Sequence, residues 1–282
     1  MQDIALIIST TLMYSTPLIF AALGGVFSEN SGIVNIGIEG MMTIGAFAGA
    51  AAGYMLGNPW LAFIIGGLAG GLFALVHALA TVTFNADHTI SGVAINLLAP
   101  GVALFASKIM FDGATMTPTI PMEQKIPRPL NGLFPSGSIL DTIFNAYATV
   151  FIAFILVAVT WYVLYKTKFG LRIRAVGEHP GAADTLGISV AKTRYAAVII
   201  SGILAGLGGA SMSLAVVSSF RPTLISGHGY IAMAAVIFGK WRPQWAMAAC
   251  LLFGFSTALS VYFGNPELPF SINENLLSMI PY

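Results

Sequence analysis

The residues of this 282-residue chain best suited to chemistry are polar groups set in apolar sequence, and the first are Asn35 and Glu39. Their spacing of four predicts that both lie on one face of a helix. A carboxylate inside a membrane span is costly unless it is paired, hydrated or protonated, and such groups usually face the bundle interior. Two hypotheses stay open: Glu39 belongs to a substrate path or gate, or it clamps a broken helix by hydrogen bonds.

Two further polar residues are candidates for the same path. Asn96 lies in a later apolar run, where its amide can either extend a polar path or tie two helices together. His228 lies between Gly227 and Gly229, a position that favours a break in a helix. His77, by contrast, is expected to be a hydrogen-bonded core histidine. The substrate-path candidates are therefore Asn35, Glu39, Asn96 and His228.

The pattern of reactive residues indicates a protein that is not an enzyme. No His, Cys or carboxylate group has metal-ligand spacing, and no nucleophile–base pair stands out. A G-x-x-x-x-G-K-[ST] loop is absent, so we expect no ATP binding by such a loop and no cofactor in this chain. Cys250 lies in an apolar run and is expected to be buried filler. If the chain pumps a substrate, the energy comes from another polypeptide or from an ion gradient.

Composition predicts an all-α, polytopic membrane protein. The chain is 57% hydrophobic and 8% charged, whereas a soluble domain carries roughly 25% charged residues. Its 12 basic and 11 acidic residues give no support for nucleic-acid binding. Several uncharged runs approach the roughly 20 residues that cross a bilayer as a helix. We expect one transmembrane domain over residues 1–282, with about eight to ten helices, some of them broken.

Glycine patterns suggest how these helices pack. Gly202, Gly206 and Ala210 recur every four residues, which is typical of a close helix–helix contact. The tripeptide Leu-Gly-Gly occurs at 23–25 and at 207–209, each time ahead of a glycine-broken run. Five crossings lie between the two units, which predicts an inverted repeat of the kind found in transporters. Chance, or generic glycine-rich packing, remains an alternative explanation.

A basic segment at residues 166–194 sets the expected orientation. Six of the chain's 12 Lys and Arg lie in it, and loops rich in Lys and Arg tend to be cytoplasmic. The proline-rich segment 111–145 is then an external loop, and the N-terminus, which lacks Lys and Arg, is also outside. We therefore expect a multi-pass protein whose segment 166–194 is a cytoplasmic loop.

Four motifs resemble permeases of the branched-chain amino acid, ribose and nucleoside group of ABC importers. They are GIVNIGIEGMM at 32–42, ADHTISGVAIN at 86–96, GEHPGAADTLGI at 177–188 and AMAAVIFGKW at 232–241. Together they span most of the chain, and their amino-acid sequences are most similar to those of the nucleoside permeases. The family pattern usually continues with a full final helix, whereas here the last helix only begins before Tyr282.

The resemblance implies an importer with several partners in a bacterial or archaeal plasma membrane. These are a second permease subunit, two ATP-binding subunits and an external substrate-binding protein, within membrane lipid. Nucleosides are the expected substrate, with branched-chain amino acids or monosaccharides as alternatives. A secondary transporter driven by an ion gradient at Glu39, or a passive channel, is the alternative mechanism.

Within the resemblance, residues 177–188 correspond to the loop that couples the permease to an ATPase. Pro180 suits the first turn of a helix and Gly187 its end, which predicts a short helix over 180–186. This helix is expected to present Ala182, Ala183 and Leu186 to the ATPase. An ordinary basic loop that only orients the chain is the alternative. The expected coupling residues are Gly177, Glu178, Pro180, Ala182, Ala183, Leu186 and Gly187.

Overall fold

The structure, a computed structural model, describes residues 2–135 and 138–264 as a helical bundle without a β-strand in those residues. The α-helices are α1 (Gln2–Asn30), α2 (Ile38–Leu56), α3 (Pro59–Ala78), α4 (His88–Met110), α5 (Ile139–Phe144), α6 (Ala148–Lys166), α7 (Lys168–Glu178), α8 (Pro180–Thr185), α9 (Val190–Ser211), α10 (His228–Phe238) and α11 (Pro243–Phe263). Single π-helical turns extend α3 over Leu79–Thr83 and α9 over Met212–Val216. The prediction of an all-α protein is confirmed.

Six helices of the described residues are long and apolar enough to cross a membrane, namely α1, α3, α4, α6, α9 and α11. The sequence predicted about eight to ten transmembrane helices. Two more apolar helices lie in the same bundle: the 19-residue α2, which is rich in glycine and alanine, and the 11-residue α10. The expected beginning of a last helix before Tyr282 lies outside the described residues. The chain is a polytopic membrane protein.

The tightest packing in the bundle joins α9 to α2 and α3 through glycine. A Cβ on Gly206 would meet the Gly66 carbonyl, and one on Gly202 would overlap Ala74. Ala210 packs against Gly49, where a Cβ would lie 2.9 Å from the alanine methyl group. The predicted small-residue stripe on α9 is therefore a packing surface, which allows the backbones to approach each other closely.

Helices α1 and α9 cross in opposite directions with matching contacts. A Cβ on Gly24 would lie 2.5 Å from the Ser201 carbonyl oxygen, and one on Gly208 would lie 2.7 Å from the Pro17 carbonyl oxygen. Gly24 and Gly208 are the central residues of the two Leu-Gly-Gly tripeptides. The two contact positions are seven residues apart on each helix, at Pro17 and Gly24 on α1 and at Ser201 and Gly208 on α9. This reciprocal crossing is compatible with the inverted repeat that the sequence predicts.

Helices α2 and α10 begin inside the bundle instead of at its surface. Asn35, just before α2, donates a hydrogen bond to the hydroxyl of Ser201. At a rise of 1.5 Å per residue, Ser201 lies about 16 Å along α9 from its first residue, Val190, and so deep in the bundle. Just beyond the other end of α10, the carbonyl of Trp241 accepts a hydrogen bond from Asn30 at the end of α1. The 11 residues of α10 span about 16 Å, half of a roughly 30 Å hydrocarbon core. The prediction of broken helices is therefore confirmed.

The two long polar segments differ in regularity. Described residues of 111–145 are mostly irregular, with a 3₁₀ turn at Met122–Gln124 and the short α5. Ile120 of this segment is buried, and its N–H donates to the carbonyl of Ser218. Segment 166–194 is largely helical, since it contains α7, α8 and the start of α9. We call this side of the molecule the α7–α8 end.

Candidate functional site

The candidate site is the point inside the bundle where the N-termini of α2 and α10 meet. Glu39, in the first turn of α2, accepts hydrogen bonds from two backbone N–H groups at the start of α10. Its Oε1 lies 2.7 Å from the nitrogen of Gly227, and its Oε2 lies 2.7 Å from that of Gly229. One carboxylate therefore joins the two broken helices, and we call this arrangement the α2–α10 junction.

The position of Glu39 follows from the electrostatics of helix ends. The first N–H groups of a helix lack partners within the helix and carry a partial positive charge. Neither Gly37 nor Gly227, the residues that precede α2 and α10, supplies a side-chain cap. Because α2 runs toward one end of the bundle and α10 toward the other, two positive helix ends face each other, and the carboxylate balances both.

Glycine makes this approach possible at α10. A Cβ on Gly229 would lie 2.5 Å from the Cα of Glu39 and 2.6 Å from its nitrogen, so any larger residue would separate the two helices. Gly227 has φ +96°, a conformation that favours glycine, and its turn directs the chain into α10. The glycines on either side of His228 thus have distinct structural roles.

Asn96 of α4 occupies the break before α2. Its Oδ1 accepts from the N–H of Gly40 at 2.8 Å, and its Nδ2 donates to the carbonyl of Ile36 and to the hydroxyl of Tyr230, each at 2.9 Å. The amide therefore supplies partners that the broken helix lacks, and it ties α4 to α2 and α10. Sequence reasoning missed Tyr230, because a tyrosine in an apolar helix looks like a packing residue.

Helix α4 also has a defined start in the second motif. Asp87 caps it by accepting from the N–H groups of Ile90 and Thr89. These hydrogen bonds, above all the one from Ile90, hold the pKa of Asp87 below its usual value. The cap fixes the register of α4 and so the level at which Asn96 meets the break.

The prediction that Asn35 and Glu39 share a helix face is wrong. Helix α2 begins only at Ile38, so Asn35 lies in the irregular segment before it, where helical spacing does not apply. Its Nδ2 donates to Ser201 at 2.9 Å, and its fully buried Oδ1 has no partner among the described residues. Asn35 therefore contacts α9 while Glu39 contacts α10.

The histidines differ in their surroundings. His228 is the first residue of α10 and half-buried, and its Nδ1 is paired with the carbonyl of Ile225. It therefore lies at the α2–α10 junction, and its place in a substrate path stays a prediction. His77 is fully buried, with Nδ1 2.9 Å from the Ser91 hydroxyl and Nε2 3.3 Å from the Val34 carbonyl oxygen. The prediction of a hydrogen-bonded core histidine is confirmed.

The short helix predicted over 180–186 is present as α8, one residue shorter than expected, while its coupling role stays a prediction. Pro180 is its first residue, and the His179 side chain accepts from the N–H of Ala182. Gly187 ends it with φ +77°, and the N–H of Ile188 returns to the carbonyl of Ala183. This is a glycine-terminated helix end of a common type.

One part of that prediction is wrong, because α8 does not present Ala183. The Ala183 side chain is buried, whereas Ala182 is exposed and Leu186 is 81% exposed. Gly177 is equally constrained, since a Cβ there would overlap the carbonyl oxygen of Asn30 at the end of α1. Glu178 is exposed. The outward surface of α8 is therefore narrower than the sequence suggested.

Comparisons with known proteins agree with this architecture. A family model described as "Branched-chain amino acid transport system / permease component" matches residues 7–280. The guanosine ABC transporter permease protein NupQ of Bacillus subtilis is 45% identical, with 100% of this chain and 90% of the relative covered.

Two further relatives have related names. The nucleoside ABC transporter permease protein NupC of Lactococcus lactis is 42% identical, again with 100% of this chain and 90% of the relative covered. The guanosine ABC transporter permease protein NupP of Bacillus subtilis is 27% identical, with 88% of this chain and 70% of the relative covered. No solved structure matches the chain.

Proposed function

The chain belongs to the branched-chain amino acid transport system permease component family, and we propose that it is the nucleoside-importing permease subunit of an ATP-driven transporter. One observation carries this proposal: two relatives that match the whole chain at 45% and 42% identity are named as a guanosine and a nucleoside permease. Identity at this level over the full length supports transfer of the substrate class. Branched-chain amino acids and monosaccharides are the competing substrates.

The α2–α10 junction is the proposed substrate path. It combines a carboxylate, an amide and a phenol at a point where two broken helices meet, which is where transporters of this kind bind their substrates. A nucleoside is neutral and carries many hydrogen-bonding groups, so it suits a site made of Asn96, Tyr230 and the helix ends. Asn35, Glu39 and His228 complete the proposed path.

The exposed side of this junction suggests where the second permease packs. Tyr230 is 48% exposed and Asn96 is partly exposed, although both lie within the membrane-spanning length. Polar groups at that depth rarely face lipid. The proposed path therefore runs between α4 and α10 of this chain and the second permease. NupP and NupQ are two different permeases of one organism, which supports a pair of unlike subunits.

In this proposal the ATP-binding subunits act on the permease through α8. The exposed Ala182 of α8 and Leu186, which directly follows α8, would fit a groove on an ATP-binding subunit, with one such subunit for each permease. Closure of the ATPase pair would then move α7 and α8, and with them the end of α1 that Gly177 contacts. The α7–α8 end is cytoplasmic, the N-terminus and 111–145 are external, and an external binding protein delivers the substrate.

Uptake of radiolabelled guanosine by cells that express this chain with its partner subunits tests the proposal. We expect uptake to require this chain, to stop when ATP is depleted and to be competed by other nucleosides. Competition by leucine or glucose, but not by nucleosides, would contradict the substrate class. Uptake by this chain alone that persists without ATP and collapses with an ionophore would instead identify a secondary transporter.

A further inference from the structure

A cavity of about 670 Å³ lies at the α7–α8 end, where α6 ends and α11 begins. Its walls come from α6, α7 and the start of α11, so it is separate from the α2–α10 junction and from α8. The residues that matter for its chemistry are three cations, Lys166, Arg174 and Arg242, and three aromatic residues, Trp161, Tyr165 and Trp245.

The cavity is positively charged, since none of its lining residues is acidic. The guanidinium of Arg174 lies 4.8 Å from the ring centre of Tyr165, and its Nε donates to the Leu164 carbonyl at 3.1 Å. Its terminal nitrogens have no acceptor within the part of the chain that the structure describes. Arg174 is thus held in place by one nitrogen and presents the others to the cavity.

Glu29 and Glu178 do not line this cavity. They line an adjoining cleft, and Arg174 lines both spaces. Glu29 accepts a hydrogen bond from the indole of Trp241. The cations of the cavity therefore keep a net attraction for an anion, and Lys166 is further positioned with its Nζ 5.6 Å from the ring centre of Trp161.

The cavity lies at the level where two membrane spans end. Lys166 is the last residue of the α6 span, and the α11 span begins at Pro243. Trp and Tyr at span ends are typical of the membrane–water interface. From Trp245, which is 63% exposed, an apolar stripe continues along α11 through the exposed Leu252 and Phe255. A basic pocket thus continues directly into an apolar surface.

We propose that this cavity binds the phosphate of an anionic phospholipid, with the acyl chains along the α11 stripe. Arg and Lys bind phosphate oxygens by charge-assisted hydrogen bonds, and basic pockets between membrane helices hold anionic headgroups. The adjoining stripe favours a lipid over a soluble phosphate. Three cations and no carboxylate favour a headgroup with net negative charge over a zwitterionic one, whose cationic group they would repel.

Native mass spectrometry of the detergent-purified complex tests this, with phosphatidylglycerol and phosphatidylcholine titrated in parallel. We expect the wild-type complex to retain phosphatidylglycerol more strongly. The double variant Lys166→Gln/Arg242→Gln removes two of the cations and leaves Arg174 stacked. It should bind phosphatidylglycerol about fivefold more weakly for each charge removed, equivalent to about 1 kcal/mol each. The control Lys168→Gln/Lys192→Gln removes two exposed cations of the same end outside the cavity and should bind as wild type.

Four results would overturn the proposal. The first is equal retention of the two lipids by the wild type, and the second is an equal loss in the control variant. The third is displacement of phosphatidylglycerol by inorganic phosphate at matched concentration, which would identify a site for free phosphate. The fourth is dissociation of a partner subunit from the double variant with lipid binding unchanged, which would make the cavity a protein contact.

Discussion

Glu39 and Gly229 approach each other closely, and the carboxylate of Glu39 caps α10, of which Gly229 is the second residue. The Glu39 Oε2 lies 2.7 Å from the Gly229 nitrogen, and the missing Cβ of Gly229 leaves room for the α2 backbone. A helix that starts within a membrane must find partners for its first N–H groups from other elements, because lipid supplies none. The α2–α10 junction supplies such partners, because Glu39 accepts from the N–H groups of Gly227 and Gly229.

Replacing Glu39 tests the cap. Glu39→Ala leaves the N–H groups of Gly227 and Gly229 without their acceptor, at a cost of about 1–3 kcal/mol for each. We expect a lower melting temperature in detergent and loss of uptake, measured by thermal unfolding and by guanosine transport. The control Glu123→Gln, at an exposed position of the 111–145 segment, should leave both unchanged. A Glu39→Ala protein of wild-type stability would show that these hydrogen bonds contribute little.

Gly229→Ala tests the close approach of the two helices. The new methyl group would lie 2.5 Å from the Glu39 Cα, so α10 must move away from α2 and both hydrogen bonds to the carboxylate must lengthen. We expect a clear loss of thermal stability. Gly101→Ala is the matched control, since no atom lies within 4 Å of its Cβ, and it should gain about 0.5–1 kcal/mol of helix propensity. Equal melting temperatures for the two variants would contradict the packing.

Asn96 and Tyr230 should differ in the size of their effects. Asn96→Leu keeps the branched shape of the side chain but removes hydrogen bonds to Gly40, Ile36 and Tyr230, whereas Tyr230→Phe removes only the last of them. We expect Tyr230→Phe to lose about 0.5–1.5 kcal/mol and Asn96→Leu to lose more, as seen by thermal unfolding. If guanosine contacts the phenol, Tyr230→Phe also raises the KM for uptake. The reverse order of stability would contradict the geometry around the break.

Leu186 tests the proposed contact with the ATP-binding subunit. Leu186→Glu places a charge on an exposed side chain, so the fold of this chain should be unaffected while the apolar contact is lost. We expect reduced co-purification of the ATP-binding subunits at an unchanged melting temperature. Leu133→Glu is the control. Leu133 is 70% exposed and lies in segment 111–145, at the opposite end of the bundle from α8. Full assembly and uptake by Leu186→Glu would remove α8 from the coupling path.

The sequence predicted the features that depend on a repeated pattern. The small residues of α9 could be recognised because their four-residue spacing has one physical use in a membrane helix, close packing. The end of α8 could be predicted because Gly187 favours a positive φ. His77 followed from its apolar surroundings, which make a satisfied core residue the simplest explanation.

Features that depend on where helices begin or face could not be predicted in the same way. Asn35 and Glu39 have helical spacing, but α2 begins between them, and no residue pattern marked that start. Ala183 lies on the buried side of a two-turn helix, and two turns are too few to show which side packs. The partners of Glu39 are backbone N–H groups, which a sequence of side chains does not display.

ATP-dependent uptake of radiolabelled guanosine into proteoliposomes measures the proposed function. The vesicles would hold this chain with its second permease, the ATP-binding subunits inside and the binding protein outside. We predict accumulation above the external concentration with ATP in the lumen, none with ADP, and none when Glu39→Ala replaces the wild-type chain. Equal uptake with ATP and with ADP, or equilibration without accumulation, would contradict an ATP-driven nucleoside permease.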